Sequence, residues 1–142
     1  MNGKMGEMGK TILVIDDDAD VAVALATMLE LEGYRTMEAR SADEAMKRMA
    51  ARRPDLITVD LMMPRKSGLM FYRSLMLDPR YRELPVIFIS AFSGARDFSG
   101  PAFRKLIEEA EVPEPAGFIE KPVVPERLLA LVQSVLQASK EN

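Results

Sequence analysis

The sequence contains no cysteine and no histidine. Without cysteine there are no disulfides, thiolate nucleophiles, iron–sulfur clusters or thiolate zinc sites. Without histidine the commonest general base, the commonest metal ligand and every Ser-His or Cys-His pair are gone. Any chemistry must run on carboxylates, hydroxyls, lysines and arginines, with at most a hard cation held by oxygen. Long apolar runs are also missing. None approaches the length of about 18 residues that a membrane span needs, and no charged-then-apolar leader opens the chain, so the expected location is cytoplasmic, without membrane contact. Charge of one sign does not dominate: 19 basic and 22 acidic residues leave a net charge of −3. With no long basic run, direct nucleic-acid binding is disfavoured. What remains is 142 residues, 48% of them hydrophobic and 29% charged. That suits one globular domain able to bury roughly two thirds of its unfolded surface.

Residues 1–10 are polar, rich in glycine and without periodicity, and are expected to form a flexible arm. Residues 11–139 read as one domain and 140–142 as a tail. Within the domain, two kinds of pattern alternate. Ile12–Ile15, Leu56–Val59 and Val86–Ile89 are short, wholly apolar runs, as expected for strands buried on both faces. Tyr34–Ala39 and Phe118–Ile119 are weaker strand signals. Between them lie helical stripes: Val21, Ala24, Leu25, Met28 and Leu29, with Gly33 at the stop; Ala45, Met46 and Met49 after a capping-box spacing at Ser41–Glu44; and Leu69 to Leu77. Two more follow, one opened by Pro101 with Phe103, Leu106, Ile107 and Ala110, and one opened near Pro125 with Leu128, Leu129, Val132, Val135 and Leu136. Five strands alternating with five helices imply an α/β, doubly wound, five-stranded parallel sheet with helices on both faces.

Four predicted strands end in polar residues: Asp16 and Asp17, Asp60, Ser90, and Lys121. The second ends in Ala39-Arg40 and offers nothing comparable. In a doubly wound sheet, ligands bind beyond the carboxyl ends of the strands where strand order reverses. With order 2-1-3-4-5 the first and third strands are neighbours there, and the second lies at an edge. Singly, each feature has a plain structural reading. Asp16-Asp17-Asp18 can cap a helix, Asp60 can start a turn, Ser90 can be a satisfied hydroxyl and Lys121 a solvated lysine. Jointly, they cluster at one end of the sheet. Three carboxylates together raise affinity for a cation. Mg²⁺ suits them, since it needs one or two carboxylates and completes its shell with water and phosphate oxygens. A cation, a lysine, a hydroxyl and a nucleophilic carboxylate make a site for a phosphoryl group, with an aspartyl phosphate as product.

The segments Ile12-Leu13-Val14-Ile15-Asp16-Asp17, Asp60-Leu61-Met62-Met63-Pro64, Leu84 to Ala91 and Lys121-Pro122 together resemble the receiver domain of bacterial two-component response regulators. The resemblance runs from about Lys10 to Ser139 and implies a flavodoxin-like fold. It implies that Asp60 is the phosphoacceptor. Asp17, Asp60 and the Met62 backbone carbonyl would bind Mg²⁺, with Asp16 acting mainly through water. Lys121 would hold the phosphoryl oxygens, and Ser90 and Phe118 would be the switch pair. Met62 and Phe92 would control the access of water, and their bulk predicts a long-lived phosphoryl group. The implied partners are a sensor histidine kinase or phosphotransfer protein and a downstream protein, with a phosphorylation-dependent homodimer left open. The chain reads as a stand-alone regulator, a phosphoacceptor signalling domain and not an enzyme in its own right.

The stretch from Ser90 to Lys121 is longer than is usual in that family, with Phe92–Gly100 and Val112–Ala116 as the extra material. Phe92–Gly100 is expected to be mobile and to help choose the partner. Two other readings stay open at this point. One is a receiver-shaped interaction module that never uses phosphate; the other is a haloacid-dehalogenase-like phosphatase with Asp16 as nucleophile.

Overall fold

A computed structural model describes residues 9–61, 63, 67–91, 105 and 108–141. The strands are β1 (Thr11–Ile15), β2 (Arg35–Ala39), β3 (Leu56–Asp60), β4 (Val86–Ala91) and β5 (Gly117–Lys121). The helices are α1 (Ala19–Glu30), α2 (Ala42–Ala51), α3 (Gly68–Met76) and α4 (Pro125–Glu141). Of the helix predicted from Pro101, Lys105 and residues 108–110 are described, and they are helical.

All pairings are parallel and the strand order is β2-β1-β3-β4-β5, as expected from the sequence. The three apolar runs are the three interior strands. β1 and β3 are buried along their whole length, as is β4 except for Ala91. The two weaker signals, β2 and β5, are the edges, where one side of each strand meets solvent. Successive side chains point to opposite faces. Leu13, Ile15, Ile57, Val59 and Phe88 therefore pack with Met49 of α2 and Phe71 and Leu75 of α3. Ile12, Val14, Leu56, Ile87 and Ile89 pack with Leu25 and Leu29 of α1 and Leu128 and Val132 of α4.

Helix ends are set by local chemistry. Asp18 caps α1 by accepting from the Asp20 and Val21 N–H groups, at 2.9 and 3.3 Å. Ser41 accepts from the Glu44 N–H at 3.1 Å, and Glu44 reaches back to the Arg40 N–H at 2.7 Å. The Ser41 half of the expected box is formed, while Glu44 accepts from the residue before the cap and not from the Ser41 N–H. After α1, Gly33 takes a φ of +95°, and the Tyr34 N–H returns to the Leu29 carbonyl at 3.3 Å. A residue with a Cβ is disfavoured in that turn.

Candidate functional site

Because the strands are parallel, their carboxyl ends share one edge of the sheet. Ile15 lies opposite Val59, Asp60 opposite Ile89, Ser90 opposite Glu120 and Ala91 opposite Lys121. Asp16, Asp60, Ser90 and Lys121 are thereby delivered to one place. β2 contributes only a backbone group there, the Ala39 carbonyl, which accepts from the Asp16 N–H at 3.0 Å.

The three consecutive aspartates divide their work. Asp18 is the cap of α1, the plain structural role. Asp16 is only 1% exposed. Its Oδ1 accepts from the Asp18 N–H at 2.9 Å and its Oδ2 from Lys121 Nζ at 2.8 Å, so both oxygens are engaged. Asp17 faces solvent. One carboxylate oxygen from each of Asp16, Asp17 and Asp60 falls within 4.8 Å of the others. Lys121 Nζ also reaches Asp60 Oδ2 at 3.5 Å. Burial alone pulls the Lys121 ammonium below its usual range, but the Asp16 hydrogen bond and the charges of Asp60 and Asp16 outweigh it, so its pKa is raised. Lys121 therefore stays a cation at neutral pH, and three carboxylates against one ammonium leave the site with excess negative charge.

Ser90 is buried, its Oγ donating to the Ala91 carbonyl at 3.4 Å. The Phe118 ring is half-buried and lies 6.4 Å from the Phe88 ring, centroid to centroid. Met62 and Phe92, and with them the readings of a backbone ligand and of water access, lie outside the described residues. So does the expected mobility of 92–100.

One contributor escaped the reading of the sequence. A Cβ on Gly68 would stand 2.3 Å from the Asp60 carbonyl oxygen and 2.9 Å from the Leu61 Cα, so α3 starts against the backbone of Asp60 itself. The Gly68 N–H closes this turn by donating to the Leu61 carbonyl at 2.9 Å. A clue was present: glycine is a poor helix residue, and here it follows directly on Ser67, the cap of α3.

Residues 12–133 match the family model of the response regulator receiver domain. The chain belongs to that family. Receiver domains are signalling modules of two-component systems and not classical enzymes. This receiver is 35% identical over 130 residues to the phosphate regulon transcriptional regulatory protein PhoB of Pseudomonas aeruginosa, covering 92% of this chain and 53% of PhoB. It is 31% identical over 129 residues to the protein Rrf1 of Nitratidesulfovibrio vulgaris, covering 91% of this chain and 84% of Rrf1. The receiver thus spans about half the length of PhoB and most of Rrf1. Among solved structures it resembles the signal receiver domain of a signal transduction histidine kinase from Syntrophus aciditrophicus. The TM-score is 0.79 and the identity 32%, with 94% of this chain and 95% of that one covered. The chemotaxis protein CheY4 of Vibrio cholerae shares the fold with a TM-score of 0.76, at 23% identity and over 89% and 98% of the two chains. Among the described residues, no helix is long and apolar enough to cross a membrane.

Proposed function

We propose that this receiver accepts a phosphoryl group on Asp60 from a phosphohistidine of a sensor kinase or phosphotransfer protein, and passes the signal through a protein-interaction surface. The observation that carries the reading is Lys121 Nζ, placed between Asp16 and Asp60 with the Asp17 carboxylate beside them. An Asp60 oxygen attacks phosphorus as the P–N bond of the donor breaks, and the electron pair leaves with the imidazole. Negative charge then spreads over the phosphoryl oxygens, and Lys121 is placed to meet it. Asp16 is committed to other contacts: it is 1% exposed, and its two oxygens accept from the Asp18 N–H and from Lys121 Nζ. That weighs against the phosphatase reading.

The donor set fits Mg²⁺: it is made wholly of carboxylate oxygens in a chain without histidine or cysteine. Asp17 and Asp60 would hold the ion, with Asp16 in support because Lys121 and Asp18 occupy its oxygens. When bound, Mg²⁺ neutralises charge on both the acceptor and the incoming group. The Ser90 hydroxyl would donate to the new phosphoryl oxygens, moving inward and vacating space for the Phe118 ring.

The test is incubation with acetyl phosphate and Mg²⁺ followed by intact mass and peptide mapping. One phosphoryl group should appear on Asp60, and Asp60→Asn should take none. Label on Asp16, or equal label in Asp60→Asn, would refute the assignment.

A further inference from the structure

The connection between the helical residues 108–110 and β5 carries a feature that the phosphorylation site does not use. Glu111 has a φ of +57°, the one positive value at a non-glycine position among the described residues. Its N–H turns back to the Glu108 carbonyl at 3.1 Å, which ends the helix. A side chain with a Cβ is disfavoured in that region, so a neighbour must hold the turn. Two successive residues of α3 do so, one on each side of Glu111. Arg73 Nε donates to the Ala110 carbonyl at 2.8 Å, and Tyr72 Oη donates to the Pro113 carbonyl at 2.8 Å. Ala110 offers one of the carbonyls that a helix terminus leaves unsatisfied.

The Tyr72 ring has a second engagement. It is 2% exposed and meets the Phe88 ring edge-on, with centroids 5.3 Å apart and planes at 77°. Phe88, which is fully buried, lies in turn 6.4 Å from Phe118. Phe88 thus links the Phe118 ring on β5 to Tyr72 at the connection. Val112 and Phe118 border the same core cluster. In a close-packed interior a ring cannot move without its neighbour responding.

We propose that Tyr72 is a positioning residue that couples the Phe118 ring to the 110–114 segment. Its ring contacts Phe88 and so senses Phe118, while its hydroxyl pins Pro113, with Arg73 fixing the far side of Glu111. Displacement of Phe118 loosens the ring contacts, weakens the Tyr72–Pro113 bond and frees the backbone of Glu111, Val112 and Glu114 to open. The proposal rests on the phosphoacceptor reading only for what displaces Phe118. The latch itself belongs to the unphosphorylated chain.

The test is amide hydrogen exchange on the full chain, followed by NMR at Glu111, Val112 and Glu114. Without phosphorylation, Tyr72→Phe, which keeps the ring, should speed exchange there up to about tenfold, the loss of one part-buried hydrogen bond, and leave β1 and β3 unchanged. Phe118→Leu should speed it as well, and the double variant should exceed the faster single variant by little. With acetyl phosphate and Mg²⁺, the wild type should accelerate at these amides. Tyr72→Phe should take the same label and show no further acceleration. Wild-type exchange rates in Tyr72→Phe, or multiplicative effects in the double variant, would overturn the latch. Absence of label in the wild type overturns the phosphoacceptor reading instead, while the unphosphorylated comparison still decides the coupling.

Discussion

Replacing Gly68 by alanine sets two effects against each other, and the geometry says which wins. Alanine is the better helix residue, by up to about 1 kcal/mol in a helix interior and less at the first turn, where Gly68 sits. Against that, the new Cβ would lie 2.3 Å from the Asp60 carbonyl oxygen, about 1 Å inside the 3.4 Å at which ordinary contact begins. It would also stand 2.9 Å from Leu61 Cα and 3.0 Å from the Asp60 carbonyl carbon. All three atoms are backbone, so no rotamer change can relieve the clash, and α3 or the end of β3 must shift. Overpacking of this kind costs about 1–3 kcal/mol. The expected net loss is about 1–2 kcal/mol, or a fall in melting temperature of about 5 °C. Urea denaturation followed by circular dichroism measures it, with the slope unchanged. Stability loss alone would not show that the site moved, so Ser67→Ala is the reference. It removes the cap on α3, in which Ser67 accepts from the Met70 N–H at 3.2 Å, and costs about 1 kcal/mol without touching Asp60. Labelling of Asp60 by acetyl phosphate should therefore slow in Gly68→Ala and hold in Ser67→Ala. If Gly68→Ala is as stable as the wild type, or labels as fast as Ser67→Ala, the close approach of α3 to Asp60 is wrong.

Thr58, on β3 two residues before Asp60, is 1% exposed, and its Oγ1 has no hydrogen-bond partner among the described residues. Thr58→Val should therefore stabilise the fold by about 1 kcal/mol; a destabilised variant in thermal unfolding would show that the hydroxyl is satisfied. Glu111→Gly removes the Cβ from a left-handed position and should gain about 1 kcal/mol, read as a higher urea midpoint. Burial first, and the Glu114 charge second, push the Tyr72 hydroxyl up to about 12 from 10.0. The unfolded chain then releases this proton near pH 10 while the folded chain keeps it to about pH 12, so stability complete below pH 10 should fall between those values. Denaturation at about pH 9 and about pH 11 should show that extra loss in the wild type and not in Tyr72→Phe.

Much of this molecule could be read from residue order, for a physical reason. A strand buried on both faces must be apolar throughout, so Ile12–Ile15, Leu56–Val59 and Val86–Ile89 announce themselves and stand at the centre of the sheet. Parallel strands put their carboxyl ends together, so Asp16, Asp17, Asp60, Ser90 and Lys121 could be grouped without coordinates. Edge strands are less constrained, and β5 shows only Phe118-Ile119 where Gly117–Lys121 is paired. Three neighbouring aspartates look alike in a string of letters. Their separation into a cap, a buried partner of Lys121 and an exposed carboxylate depends on where the α1 backbone and a lysine 105 positions after Asp16 arrive. Gly68 matters because the packing of α3 brings it onto the Asp60 carbonyl, and Tyr72 because it reaches Pro113, 41 positions away. Patterns local in sequence report which face of an element is buried. Contacts between distant positions arise only when elements pack, and no local pattern carries them.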